Sequence, residues 1–131
     1  MDLSTLLSSL ETHLAGVLTS WTVQGEISPF AADKLLEVRY GQVQMTYVDM
    51  DSTAYSGVIE MTFYGLLTDA YTSLLADIET ATKSLASLNV ANVTIGAHGA
   101  ILATMQRPGV VQDQTKSYWE FTVNVPFELL N

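Results

Sequence analysis

Residues 57–88, GVIEMTFYGLLTDAYTSLLADIETATKSLASL, change period halfway along, and that change decides the fold class. Ile59, Met61 and Phe63 alternate with Val58, Glu60, Thr62 and Tyr64, the twofold period of a β-strand with two unlike faces. Beyond them Ala70, Leu74, Leu75, Ile78, Ala81, Leu85 and Leu88 recur at helical spacing and make one apolar stripe. Asp77, Glu79 and Lys83 fall toward solvent, with Glu79 and Lys83 spaced as an i,i+4 ion pair. Asp69 stands between the two patterns and is a candidate N-cap. A strand that runs almost directly into a long amphipathic helix needs the rest of the chain packed around it.

Working upstream, Leu36, Val38 and Tyr40 alternate with Glu37 and Arg39, then Val43, Met45 and Tyr47 alternate with Gln44 and Thr46. Gly41 between these runs is either a turn between two strands or a bulge in one long bent strand. Residues 49–57, DMDSTAYSG, read as a polar hairpin loop. Residues 21–34 read as a long connection containing Gly25 and Pro29, with Trp21-Thr-Val as either a short strand or part of the loop. Leu3, Leu6, Leu7, Leu10, Leu14, Val17 and Leu18 form a first helix from Asp2 to about Thr19, with Asp2 placed to cap it. Downstream, Val93-Thr-Ile-Gly-Ala and the run from Ala100 to Met105 read as β. Residues 106–116, QRPGVVQDQTK, read as a second polar loop, and Tyr118 to Val125 as a closing strand that Pro126 ends. The expectation is one α+β domain over residues 1–131, a mixed or mainly antiparallel sheet of two long hairpins packed against two helices.

Composition narrows the function classes. Fourteen acidic residues against five basic ones give a formal net charge of −9, and Lys34, Arg39, Lys83, Arg107 and Lys116 are too scattered to form a phosphate-binding stripe. With no cysteine there is no disulfide, zinc ribbon or thiol chemistry. The N-terminus lacks the basic start of a signal peptide, and no run approaches the roughly 20 apolar residues of a membrane span, so a soluble cytoplasmic protein is expected. Only 15% of residues are charged, which leaves more apolar surface than usual and favours self-association.

Motifs for chemistry are missing. His13 and His98 have no metal-ligand spacing, and a lone histidine in GAHGA (residues 96–100) is more simply structural. Asp49 and Asp51 form a D-x-D pair without the further oxygens or bidentate Glu of a calcium loop. Glu60 and Glu120 could meet as an acid pair across the sheet, but outward glutamates on strands are the plainer reading. There is no nucleophile elbow, P-loop or dinucleotide fingerprint, so neither an enzyme nor a cofactor is expected. The two polar loops are better candidates, because such loops on a rigid sheet are usual places for protein contacts. Their residues Asp49, Met50, Asp51, Tyr55, Arg107, Val110, Val111, Asp113 and Lys116 are the expected interaction set, with Arg107 suited to pairing with carboxylates.

The layout resembles the bacteriophage tail terminator (tail completion) family, with related head–tail neck proteins sharing similar layouts. The resemblance is carried by the opening stripe LSTLLSSLETHL, the strand VRYGQVQMTYVDM, the unit GVIEMTFYGLLTDAYTSLLADIETA and the ending ATMQRPGVVQDQTKSYWEFTVNVPFEL, which together span essentially the whole chain. It implies a ring, typically a hexamer, at the head-proximal end of the virion tail. Such a ring stops tube polymerisation, docks the head connector and lets DNA pass through an acidic lumen without specific binding. The competing expectations are a ligand-binding or enzymatic domain, with a pocket between sheet and second helix containing His98, Tyr64 or Glu120, and a head-completion or baseplate role.

Overall fold

A computed structural model describes residues 2–25, 32–47, 49–97 and 100–130. Their order is α1 (Leu3–Val17), β1 (Thr22–Gln24), β2 (Lys34–Tyr47), β3 (Thr53–Leu66), α2 (Tyr71–Ser84, continued by a 3-10 turn at Leu85–Ser87), β4 (Val93–Ile95), β5 (Thr104–Met105), β6 (Gly109–Asp113) and β7 (Lys116–Leu130). The fold is α+β: two helices pack on a mixed seven-stranded sheet in which β2, β3 and β7 are long. The order is β1-β2-β3-β7-β4, and β5 and β6 also pair with β7. Among the described residues only β1 and β2 run parallel. The far edge of β7 is therefore covered in relay by three short strands, β6 at Lys116–Glu120, β5 at Val123–Asn124 and β4 at Phe127–Leu129.

The helices occupy one face. Leu6, Leu10 and Leu14 of α1 and Leu74, Ile78 and Ala81 of α2 are buried against Leu36, Val38, Ile59, Met61, Phe63, Phe121, Val123 and Val125. The Asp2 side chain caps α1, accepting from the Thr5 N–H at 2.8 Å. That bond holds its carboxyl below the usual range. Trp21 closes the core edge-on to Phe63, and its indole N–H donates to Asp77 at 3.0 Å. Asp77 is thus not a solvent residue of the second helix, because Trp21 and Lys34, at 3.8 Å, both reach it. His13 Nε2 donates to the Ser84 carbonyl at 2.9 Å and fastens α1 to the end of α2, which is a structural use of that histidine. Gly65 lets α2 come close, since a Cβ there would stand 2.5 Å from Leu74.

Several expectations change. The run on either side of Gly41 is one strand with a register shift between Tyr40 and Val43, the bulge alternative. Gly57 faces that bulge, where any Cβ would run into the Gln42 carbonyl. The first hairpin loop is shorter than residues 49–57, because β3 begins at Thr53. Asp69 does not cap α2; the cap position is Ala70, without a side-chain bond, since the Asp69 N–H closes a turn on the Leu66 carbonyl. Ala70 itself is exposed rather than part of the stripe. Residues 106–116 are not all loop, because β6 occupies five of them. Pro126 does not end the closing strand, which runs on to Leu130. In a strand a residue's N–H and C=O point to the same edge. The Pro126 carbonyl accepts from Gly96 at 2.7 Å, so its missing N–H faces the end of short β4 and spares the long ladder with β3. Among the described residues no helix is long and apolar enough to cross a membrane. Residues 26–31 of the connection between β1 and β2 lie outside them.

Candidate functional site

The nine residues proposed from sequence fall into two groups at opposite ends of the sheet. Ala54, beside the first tip, pairs with Leu130, whereas Val111 pairs with Tyr118, roughly 40 Å further down β7. The first group is carried by a β-arm. A 15-residue helix is about 22 Å long and a 14-residue strand about 46 Å, so the helices cannot cover all of β2 and β3. From Gly41 outward β2 is mostly exposed, and beyond Glu37 its outer edge is paired with no strand among the described residues.

At the tip the Asp49 carboxylate accepts from the Asp51 N–H at 2.8 Å, which folds the chain locally and leaves Met50 fully exposed. Asp49 and Asp51 thus serve a turn, and among the described residues no group of three or more His, Asp or Glu side chains could hold a metal. Tyr55 is not in the loop: it lies on β3 between Met45 and Leu129 and packs on the margin of the core. Sequence reasoning missed Met45 and Tyr47 (69% exposed), which extend the apolar surface of the tip on the helix side of the sheet, and Leu130 (62% exposed), which lies at the end of β7 on the other side. Strand length set against helix length was the signal that could have found them.

The second group is a tight hairpin. Asp113 pairs with Lys116 across the turn Gln114-Thr115, and Gln114 takes φ of 53°. Lys116 is held by Asp33 at 3.0 Å, which raises its pKa. Val110 is exposed beside Trp119, and Val111 half-buried beside Tyr118. Arg107 is exposed in the connection between β5 and β6, where the Gln106 N–H donates to the Thr122 carbonyl.

Two further features lie between these ends. On the helix side a groove of about 420 Å³ runs between α2 and the relay edge of the sheet. Leu75, Ile78, Met105 and Val123 form its apolar floor and walls, and Glu79 and Lys83 stand on its rim. Those two side chains approach to 4.0 Å in the expected i,i+4 pair, but at 80% and 72% exposure for Lys83 and Glu79 it is loose. On the opposite face Arg39 gathers two glutamates: Nε and Nη2 donate to Glu60 at 3.0 and 2.9 Å, and Nη1 reaches Glu37 at 3.0 Å. The Glu60 hydrogen bond above all raises the Arg39 pKa. Tyr64 is pushed up to about 12, first by burial and then by the charges of Glu120 and Glu37.

Glu60 and Glu120 do not make an acid pair. Glu60 is opposite Asn124 and Glu120 opposite Tyr64, roughly 13 Å apart along the strands, and Glu60 is neutralised by Arg39. Two of the three residues named for a ligand pocket are not between the sheet and α2. Tyr64 and Glu120 lie on the face away from α2, because their neighbours Phe63 and Phe121 are in the helix-side core and Gly65 meets Leu74. His98 lies outside the described residues. No protein-family model matches the chain, and no curated protein matches it.

Proposed function

We propose that this chain is a ring-forming structural protein of the phage tail–head junction, of the tail terminator kind. The observation that carries the reading is the presence of two unlike exposed apolar patches on one chain. Met45, Tyr47 and Met50 mark the arm, and Leu102, Met105 and Val110 mark the relay edge of the sheet. Patches that differ in shape and position favour head-to-tail contacts between copies, and such contacts close into rings when the rotation permits. The work done is assembly: the ring ends growth of the tail tube and offers its other side to the head connector. The net charge of −9 suits a lumen through which DNA slides without adhering, since like charges repel.

Light scattering after size exclusion, followed by negative-stain imaging, tests the ring directly. The expected result is one closed oligomer with a central hole, which binds the ends of purified tail tubes and limits their length when added during polymerisation. A chain that stays monomeric and ignores tube ends would overturn the proposal.

A further inference from the structure

Most of the chain's few cations are already committed. Lys34 faces Asp77 at 3.8 Å, Arg39 holds Glu60 at 2.9 Å and Lys116 holds Asp33 at 3.0 Å. Among the described residues this leaves Lys83, loosely placed 4.0 Å from Glu79, and Arg107, with no carboxylate inside that distance. Lys83 is on the rim of the groove beside α2, and Arg107 follows by two residues Met105, which lines it. In a molecule of net charge −9, cations not held by a close carboxylate are the favourable approach for an acidic segment of another copy. The arm tip has the complementary pattern, a fully exposed methionine between two carboxylates, Asp49-Met50-Asp51.

We infer that the arm of one copy docks on its neighbour, with Met50 in the groove between Leu75, Ile78, Met105 and Val123 and with Asp49 and Asp51 facing Lys83 and Arg107. This inference rests on the ring reading and assigns its contact. An unbranched thioether adapts to an irregular apolar groove. The space of about 420 Å³ has room for Met50 together with part of a second arm side chain. Knob and groove are different surfaces of the same chain, so each copy uses both and the contact propagates in one direction around a ring. The carboxylates set orientation and approach more than affinity, while the buried methionine and groove wall supply the hot spot.

The chain has no cysteine, so a disulfide can be placed cleanly. Met50→Cys combined with Ala103→Cys cannot bridge within one copy. Ala103 adjoins Thr104, which pairs with Asn124, whereas the tip lies beyond the Ala54–Leu130 pair, ~20 Å further along β7 and past disulfide reach. Oxidation of the double variant is expected to give a ladder of covalent multimers that ends at the ring size. Each single variant should stop at a dimer. In parallel, Asp51→Lys and Lys83→Glu are each expected to weaken association about tenfold or more, and their combination to restore most of it. A ring without the ladder and without charge-swap rescue overturns this contact and leaves the ring reading standing. A strict monomer at the highest soluble concentration overturns both.

Discussion

Between Lys34 and Tyr40 the β2–β3 hairpin lies under the helices, and Leu36, Val38, Ile59, Met61 and Phe63 are fully buried. Between Val43 and Tyr55 the same two strands continue with the same alternation, yet Met45 and Tyr47 are half or more exposed. On β2 residue type hardly differs between the halves, Leu36, Val38 and Tyr40 at the base against Val43, Met45 and Tyr47 on the arm. What differs is the layer above them, because a helix covers about 1.5 Å per residue and a strand advances about 3.3 Å. One hairpin thus serves as core at its base and as an arm at its end.

Substitutions can break that contrast. Phe63→Ala at the base is expected to cost ~3–5 kcal/mol in urea unfolding, whereas Tyr47→Ala on the arm should stay within ~0.5 kcal/mol when both are measured dilute. Equal losses would show that the arm is core after all. Gly65→Ala, which drives a Cβ into Leu74, should cost ~1–3 kcal/mol, while Gly16→Ala in α1 meets nothing within 4 Å and should be neutral or slightly stabilising. Thermal melts of the two side by side distinguish close packing from a general dislike of added bulk.

Arg39→Ala tests the sheet's other face. The Glu37 side chain is only 11% exposed and would lose its cation, an expected loss of ~1–3 kcal/mol. Adding Glu37→Gln should recover part of it, and no recovery would mean that Arg39 acts by packing alone. Tyr40 and Tyr64 supply a pH signature. Burial, with help from nearby carboxylates, raises both to about 12. The folded state therefore holds these protons more tightly than the unfolded chain, for which about 10 is usual. The resulting stability is complete below pH about 10 and is lost as the pH rises toward 12. Tyr64→Phe should flatten that decline; an unchanged slope would remove Tyr64 as its source. A modest gain is expected at the second hairpin, where Gln114 holds a left-handed φ that glycine adopts freely. Gln114→Gly should raise stability by ~0.5–1 kcal/mol, read as a small upward shift in melting temperature.

Much of the fold was legible in residue patterns. The Ile59-Met61-Phe63 face, the Leu6-Leu10-Leu14 and Leu74-Ile78-Ala81 stripes and the Asp2 cap all appear where local periodicity and side-chain chemistry put them. Elements that depend on a distant partner were less legible. β6 looked like loop because its short, polar-flanked Val110-Val111 pair becomes a strand only by bonding to β7. Pro126 looked like a terminus because the missing N–H matters only on the edge it faces, and that edge is set by β4. Of the candidate site, the tip residues Asp49, Met50 and Asp51 were found from loop composition. Tyr55 was placed in the loop because the hairpin's turn is set by cross-strand register.

Sequence alone determined which residues have a wet and a dry side, since a period of two or of 3.6 is a property of the local backbone. The tertiary structure decided how far each dry side is covered. Coverage depends on where elements of unequal rise per residue stop beside one another. That mismatch leaves Met45, Tyr47 and Met50 uncovered on the arm. The short strand β5, not any local pattern, brings Met105 beside Val123 of β7 and so completes the groove next to α2.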